Sequence, residues 1–365
     1  MIKNKKILIA TGGTGGHVYP AYSLVKKFQK ENYNVKLTTD RRGLKYLKDY
    51  KYLNLITISS SPLVKKNIVK FLSSIFKILF GIFRSLILLI SDRPSIIIGM
   101  GGYTSFPICI AAIILRIKFV IYENNLIIGK ANKYLLPFTK KIFVSFKDIE
   151  GISKKYNNKI LEIGNIVREE IINSNIEVNK KDSFNDIKIL VLGGSQGAKI
   201  FADQLPQIFR KIENSKLSIK VFQQCQQEQN DQLLDFYKKA KIDCKIFNFT
   251  SDIIYYYSKV NLVITRSGAS ALGELINMKI PFISIPLPTS ADNHQLKNAL
   301  FYKKKGFGYL VEEKDINNQL YDLIKSIFQN RSLIENILVK QRQYSDKDFF
   351  KIVNFNIEKI IYEKN

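Results

Sequence analysis

KILIATGGTGGHVYPA, residues 6–21, is the segment from which the fold can be predicted. It begins with an apolar run that ends at Thr11, where glycine pairs interrupt it before a helical pattern starts. A short, continuous apolar run is typical of a strand that is buried on both faces of a parallel sheet. The segment therefore predicts a strand at residues 6–11, a glycine-rich turn and a helix, which is how an α/β sheet begins.

The alternation of short apolar runs and longer helical patterns continues along the chain and starts again near residue 187. Strands are predicted at 6–11, 35–39, 95–100, 119–123 and 142–145, and then at 187–192, 219–223, 245–249, 262–265 and 282–285. This pattern is that of a doubly wound parallel sheet, so two Rossmann-like α/β domains are expected. The polar segment 173–186 has no periodicity, and the domain boundary is predicted just before it, near residues 164–168.

Length and charge narrow the possible classes of protein. The chain has 365 residues, more than the roughly 250–300 that one hydrophobic core organises. Its 57 Lys and Arg against 31 Asp and Glu give a net charge of +26, which favours nucleic acid, an acidic membrane surface or a phosphorylated substrate as partner. The three cysteines lie far apart without a C-x-x-C pair. A disulfide framework and a structural zinc site are therefore not expected, and a reducing compartment is favoured.

Two apolar stretches are candidates for a signal peptide or a membrane-associated helix. The amino-terminal run ends at Ala10, which is too short for a signal-peptide core. Residues 68–90 are the most apolar part of the chain, but Lys70, Lys77 and Arg84 interrupt them at seven-residue spacing. That spacing places the cations close to one helical face. We therefore predict an amphipathic helix that does not span a membrane, with an ordinary core helix as the alternative.

Four predicted strands run directly into glycine-rich loops, at residues 7–21, 96–107, 189–198 and 262–274. Ligands of open α/β sheets bind at the carboxyl ends of strands, and glycine lets the backbone and the next helix N-terminus approach a phosphate. Two such loops in each half predict a ligand held between two similar domains. The first loop lacks the Lys-Ser or Lys-Thr of a P-loop, and Val18 replaces the third glycine of G-x-G-x-x-G, so NTPases and dinucleotide oxidoreductases are disfavoured.

His17 and His294 are the two histidines of the chain, and both fall in or beside these loops. A solitary histidine commonly has a structural role. His17, however, is expected at a helix N-terminus, where the helix dipole disfavours the imidazolium form. A neutral imidazole can accept a proton near pH 7, so His17 is the candidate general base, with a neighbouring carboxylate as the alternative.

Seven motifs carry a resemblance to a known family. They are GGTGGHVYPA (12–21), GGYTSFP (101–107), YENN (122–125), GNIVR (164–168), GGSQGA (193–198), SGASALGE (267–274) and DNHQLKNA (292–299). In their residues, order and spacing they resemble the MurG family of glycosyltransferases. The resemblance extends over about residues 6–310.

This resemblance implies a GT-B fold, in which two Rossmann-like domains face each other across a cleft. It implies an acceptor-binding, membrane-associating domain at 1–165, a UDP-GlcNAc-binding domain at 166–340, and a C-terminal helix within 341–365 that packs back on the first domain. The implied reaction is inverting transfer of N-acetylglucosamine to the 4-hydroxyl of MurNAc in lipid I, giving lipid II for peptidoglycan synthesis. It requires no metal or cofactor and takes place at the cytoplasmic face of the inner membrane, with the 68–90 helix as the attachment.

The resemblance also implies roles for individual residues. On the acceptor side it implies a role for Tyr103, beside the candidate base His17. For the donor it implies contacts by Thr14, Gly15, Gly16, Asn125, Arg168, Ser195, Thr250, Ala269, Ser270, Ala271, Leu272, Gly273, Glu274 and Gln295. Glu274 is expected to take both ribose hydroxyls with its carboxylate, with helix capping as the alternative. Lys130 is also compatible with the phosphate side.

The chain departs from the family pattern in two motifs. In YENN, Tyr122 and Asn124 stand where the family commonly has histidine and glutamine, and in GNIVR, Ile166 stands where it commonly has proline. A related GT-B enzyme that glycosylates diacylglycerol remains an alternative. Nucleic acid is not expected as partner, because the positive charge is spread along the chain without a compact basic block.

Overall fold

The structure is a computed structural model that describes residues 5–48, 50, 53–61, 67–174, 187–194, 197–215, 217–250 and 252–363. It divides into two compact units, residues 1–168 with 346–365, and residues 169–345. The division follows Arg168, and the chain returns to the first unit at Asp346.

The first unit is built on a parallel sheet with strand order β3-β2-β1-β4-β5-β6-β7. Its elements are β1 (Lys6–Ala10), α1 (Gly15–Lys30), β2 (Asn34–Thr39), α2 (Arg41–Leu44), β3 (Leu55–Thr57), α3 (Ile68–Ser91), β4 (Ile96–Gly99), α4 (Gly102–Ile114), β5 (Phe119–Glu123), α5 (Lys130–Leu135), β6 (Ile142–Val144), β7 (Ile160–Glu162) and α14 (Phe349–Tyr362). Successive side chains of β1 point to opposite faces of the sheet, so two cores form. Ile7 and Ile9 pack with α1 and α14, whereas Leu8 and Ala10 pack with α3 and α4.

The second unit repeats this plan with strand order β10-β9-β8-β11-β12-β13. Its elements are α6 (Glu169–Ile172), β8 (Ile187–Leu192), α7 (Lys199–Asn214), β9 (Ile219–Gln224), α8 (Asn230–Lys239), β10 (Asp243–Phe247), α9 (Ile253–Tyr257), β11 (Leu262–Thr265), α10 (Ala269–Met278), β12 (Phe282–Ser284), α11 (His294–Lys304), β13 (Tyr309–Leu310), α12 (Ile316–Gln329) and α13 (Arg331–Arg342). All of its strand pairs are parallel. The predicted fold class, two doubly wound parallel sheets, is confirmed.

All ten predicted strands are present; nine of them have both ends within one residue of the prediction, and the larger differences lie at sheet edges. The sequence analysis did not predict β3, β7 and β13, each of which is at most three residues long and lies at an edge. The predicted strand at 245–249 is β10, which begins at Asp243 and ends at Phe247. The first three residues of β10 alternate between exposed and half-buried, as expected for an edge strand. They therefore lack the continuous apolar run from which the start of a strand is predicted.

Helix α3 lies on the first unit by a face of small residues. Its buried residues are Ser74, Gly81, Ser85 and Leu89. A β-carbon on Gly81 would overlap the carbonyl oxygen of Ser59 and would lie 3.3 Å from Pro107 Cγ in α4. The small residues therefore allow α3 to approach α4 and the Ser59 backbone closely, while Leu89 packs into the core near the end of the helix.

We predict that Gly81→Ala lowers the free energy of unfolding by about 1–3 kcal/mol, because the added methyl group overlaps fixed backbone. In an exposed helix the same change would raise it by about 1 kcal/mol. Urea unfolding followed by circular dichroism measures the effect, with Ser73→Ala on the exposed side of α3 as the matched control. Equal stabilisation by both substitutions would contradict the close packing of α3.

Candidate functional site

The first unit has its topological switch point between β1 and β4. From β1 the chain continues to β2 on one side, whereas β4 lies on the other side. Ligands of open α/β sheets bind in the crevice outside the carboxyl ends of the strands at such a point. The loops at this place are residues 11–14 after β1 and 100–101 after β4, which are the two glycine-rich loops of the first half.

Close packing joins these two loops. A β-carbon on Gly12 would overlap the side chain of Thr104, lying 2.7 Å from its Cβ. Gly101 and Gly102 have φ angles of +82° and +73°, which side chains other than glycine rarely adopt. The His17 ring lies against both, because a β-carbon on Gly101 would be 3.4 Å from His17 Cε1 and one on Gly102 3.8 Å from Nε2. The structure thus places the candidate base at the crevice between β1 and β4.

Asp40 fixes the turn after β1 through hydrogen bonds from its carboxylate. Its Oδ1 accepts hydrogen bonds from the backbone N–H groups of Gly13 at 2.9 Å and Gly43 at 2.8 Å. Its Oδ2 accepts from Arg42 Nε at 2.8 Å. Burial raises the pKa of the Asp40 carboxyl, but these donors outweigh it and hold the pKa below its usual range. Asp40 is therefore an ionised support for the loop.

Glu123 holds the loop after β5 in the same way. Its Oε1 accepts from the backbone N–H of Asn125 at 3.1 Å and from Asn125 Nδ2 at 3.0 Å. Its Oε2 accepts from Gly129 N at 2.9 Å and from Asn132 Nδ2 at 3.1 Å. In addition, Asn124 Nδ2 donates to the carbonyl of Gly16 at 3.4 Å. The loop that carries Asn125 is thereby tied to the first turn of α1.

The other candidate site residues of the first unit lie at the starts of α1, α4 and α5 and at the end of the unit's first segment. Thr14 is the exposed residue before α1, and Gly15 and Gly16 begin that helix. Tyr103, in the first turn of α4, is exposed, and Lys130 is the first residue of α5. The Arg168 guanidinium lies over the Tyr19 ring of α1, 5.3 Å from its centroid.

Tyr122 does not present its side chain to this crevice. It is buried, and its hydroxyl lies 3.2 Å from Ser145 Oγ and accepts a hydrogen bond from Ile166 N at 3.2 Å. Burial raises the pKa of this phenol far above its usual value. Tyr122 therefore supports the segment that contains Ile166, and so the two motifs that depart from the family pattern are in direct contact.

The second unit has its switch point between β8 and β11. The loop after β8 begins with Gly193 and Gly194, and Ser195 within it lies outside the described residues. A β-carbon on Gly193 would lie 2.9 Å from Gly197 Cα, and Gly194 and Gly197 have φ angles of +81° and +70°. The loop after β11 contains Arg266, Ser267 and Gly268 and leads into α10.

Helix α10 carries most of the residues predicted for the donor. Ala269, Ser270, Ala271, Leu272, Gly273 and Glu274 form its first six positions. Ala269, Leu272 and Gly273 are buried, whereas Ser270, Ala271 and Glu274 are partly accessible. Glu274 Oε2 accepts a hydrogen bond of 3.2 Å from the Tyr257 hydroxyl. Glu274 lies in the second turn of α10, so its carboxylate does not cap this helix.

The remaining predicted residues lie at the start of α11, which begins with His294 and Gln295, and in the segment before α9, which contains Thr250. Gln295 Oε1 accepts from Leu287 N at 3.0 Å, which leaves its amide nitrogen to donate to a ligand. His294 Nδ1 donates to the carbonyl of Ala291 at 2.7 Å, a local contact that fits a structural role. Thr250 Oγ1 accepts from Asp252 N at 3.1 Å, just before α9.

Sequence reasoning missed the supporting residues Asp40, Glu123, Tyr257 and Arg266. Arg266 is buried, and it pairs with Glu313 Oε2 at 2.5 Å and donates to the carbonyls of Ile285 and Pro286 at 3.3 Å. It therefore joins the ends of β11 and β12. Asp40 and Glu123 each directly follow or end a predicted strand, and a carboxylate at that position was the available signal.

Comparisons with known proteins agree with this architecture. The family models for the glycosyltransferase family 28 N-terminal and C-terminal domains match residues 7–144 and 188–349. The crystal structure of Acinetobacter baumannii MurG superposes with a TM-score of 0.78 at 24% identity, over 98% of this chain and 99% of that one. That likeness shows a shared GT-B fold.

Two relatives carry the name UDP-N-acetylglucosamine--N-acetylmuramyl-(pentapeptide) pyrophosphoryl-undecaprenol N-acetylglucosamine transferase. The protein from Pelagibacter ubique (strain HTCC1062) is 38% identical over 99% of both chains. The protein from Rickettsia felis is 35% identical over 93% of this chain and 96% of its own. With both family models matching and with relatives this similar over nearly their whole length, the chain belongs to glycosyltransferase family 28, in its MurG family.

Proposed function

We propose that this protein transfers N-acetylglucosamine from UDP-GlcNAc to the 4-hydroxyl of MurNAc in lipid I, the undecaprenyl-diphospho-MurNAc-pentapeptide, giving lipid II and UDP. The observation that carries the proposal is the near full-length similarity to transferases that are named for this reaction. The glycine-rich loops at the switch point of each sheet support it, because glycine lets the backbone and the following helix N-terminus come close to a phosphate.

The second unit is the proposed donor domain. Glu274 would bind the ribose hydroxyls, the N-terminus of α10 and the loop that contains Ser195 would face the diphosphate, and Gln295 Nε2 would donate to a sugar hydroxyl. As the glycosidic bond breaks, negative charge grows on the β-phosphate of UDP. Backbone N–H groups and a helix dipole fixed in advance stabilise such charge as it develops.

The first unit is the proposed acceptor domain, with His17 as general base. Asp40 accepts from Gly13, Gly43 and Arg42, and Glu123 accepts from Asn125, Gly129 and Asn132. The donors on Asp40 hold the pKa of its carboxyl below the usual range, so it is a weak proton acceptor. Both oxygens of Glu123 already accept hydrogen bonds from the loop that this side chain supports. The His17 imidazole, at the crevice between β1 and β4, is the better candidate to remove the proton from the acceptor hydroxyl.

Helix α3 is the proposed membrane attachment. By length and composition it is the one helix among the described residues that could cross a membrane, with mean hydropathy 1.9. It lies instead on the first unit, and a ridge of large apolar side chains points outward. The exposed ridge residues are Ile68, Val69, Leu72, Phe76, Leu79, Phe80, Phe83, Ile87 and Ile90. Lys70, Lys77 and Arg84 follow one flank of the ridge, because residues seven apart differ by only about 20° around a helix.

Burial of this ridge in an acidic bilayer surface would suffice for peripheral attachment. One large apolar side chain contributes about 1.5–3 kcal/mol when buried, and each Lys or Arg near an anionic surface about 1 kcal/mol. Exposed Ile114 at the end of α4 and Tyr134 in α5 add to the apolar surface of the first unit. The proposed location is the cytoplasmic face of the inner membrane.

The proposed reaction is tested by transfer of labelled GlcNAc from UDP-GlcNAc to purified lipid I, with UDP-glucose and diacylglycerol as controls. We expect lipid II to form only when UDP-GlcNAc and lipid I are both present. Transfer to diacylglycerol but not to lipid I would contradict the proposed acceptor and would leave the fold and the donor site in place.

His17→Ala is expected to lower turnover about 10²- to 10⁴-fold, the usual effect of removing a general base. The Kd of UDP-GlcNAc should be nearly unchanged, because the donor is proposed to bind the second unit. His294→Ala is the matched variant, since it removes a local hydrogen bond and should lower turnover by about tenfold at most. A parallel loss of turnover and UDP-GlcNAc affinity in His17→Ala would make His17 a binding residue instead.

Phe76→Ser combined with Phe83→Ser is expected to reduce flotation of the protein with vesicles that contain anionic phospholipid. The variant should be released by salt that leaves the wild type bound, because salt screens the remaining contacts of the cations. Phe355→Ser is the control, since Phe355 is similarly exposed but belongs to α14, on the opposite face of the sheet. Equal flotation of the wild type and the ridge variant would contradict attachment through α3.

A further inference from the structure

Three consecutive tyrosines end helix α9, and they have different environments. Tyr255 is partly exposed, and the Tyr256 ring stacks on Phe247 with centroids 4.1 Å apart. Tyr257 is only 1% exposed, and its hydroxyl donates a 3.2 Å hydrogen bond to Glu274 Oε2. Of the three, the structure brings Tyr257 to the side chain that the proposed function assigns to the ribose.

From this geometry we propose that Tyr257 is a positioning residue for the donor nucleotide. It holds the Glu274 carboxylate in the orientation that takes both ribose hydroxyls. The inference rests on the proposed function, in which Glu274 binds the ribose. It adds Tyr257 as the residue that orients the Glu274 carboxylate before the donor binds.

The chemistry of the two groups fits this role. A carboxylate has two oxygens with about four acceptor positions, so Oε2 can accept from Tyr257 and still accept from a ribose hydroxyl. A glutamate side chain has several rotatable bonds, and fixing it in one orientation costs free energy when a ligand binds. A buried phenol whose ring is fixed by packing removes part of that cost during folding.

The location of both residues supports the assignment. Tyr257 ends α9, directly before β11, and Glu274 lies in α10, directly after it. The hydrogen bond therefore connects the two helices that flank the strand at the switch point of the second unit. In Tyr257→Phe the ring still fills its buried position, while the carboxylate loses this fixed donor.

Equilibrium binding of UDP and of 2′,3′-dideoxy-UDP to the full chain tests the proposal. Tyr257→Phe should weaken UDP binding about tenfold, which corresponds to about 1.4 kcal/mol, and should leave dideoxy-UDP binding unchanged. In the transfer reaction it should raise the KM for UDP-GlcNAc with little change in kcat. Tyr256→Phe is the matched control, because it removes a neighbouring hydroxyl and keeps the stacked ring, and it should bind both nucleotides like the wild type.

Glu274→Gln separates this inference from the proposed function. If Glu274 binds the ribose, this variant weakens UDP binding, and Tyr257→Phe added to it has no further effect. Unchanged UDP binding in Glu274→Gln would contradict the proposed ribose contact itself. If Glu274→Gln weakens UDP binding but Tyr257→Phe does not, or if Tyr257→Phe weakens UDP and dideoxy-UDP equally, the positioning role of Tyr257 is wrong.

Discussion

The contact between Gly12 and the side chain of Thr104 determines where the loops of the first unit lie. Because residue 12 has no side chain, the turn after β1 can lie directly against α4, and any β-carbon there would overlap Thr104. This contact brings the loops after β1 and β4 together at the switch point, with the His17 ring against Gly101 and Gly102. The proposed base therefore depends on the absence of side chains at three positions.

The same constraint operates in the second unit with different residues. A β-carbon on Gly193 would overlap the backbone of Ala198, so the loop after β8 closes on itself before α7 begins. Buried charges then fix the loops that glycine makes possible. Asp40 and Glu123 do so in the first unit, and buried Arg266, paired with the half-buried Glu313, does so in the second. A buried ion that has partners gives rigid support, whereas an unpaired one would be costly.

Much of the fold could be predicted from the sequence, because strands buried on both faces are continuous apolar runs. β5, β8 and β11 were predicted to the residue. The short edge strands β3, β7 and β13 were not, because partial burial gives a weak pattern. Glycine-rich strand ends indicated both switch points. Contacts between distant segments, such as that of Tyr257 with Glu274, leave no local pattern in the sequence and could not be predicted.

The donor and acceptor could be predicted only from the resemblance to a known family, since neither composition nor periodicity specifies a sugar or a lipid.

The proposed reaction requires the crevice at the switch point of the second unit to bind the donor nucleotide. Amide hydrogen exchange of the whole protein with and without saturating UDP tests it most directly. We expect slower exchange at residues 267–274 and 287–295 when UDP is bound, because these segments are proposed to contact or support the nucleotide. Unchanged exchange in both segments, with slowing confined to residues 12–17 and 101–105 of the first unit, would contradict it.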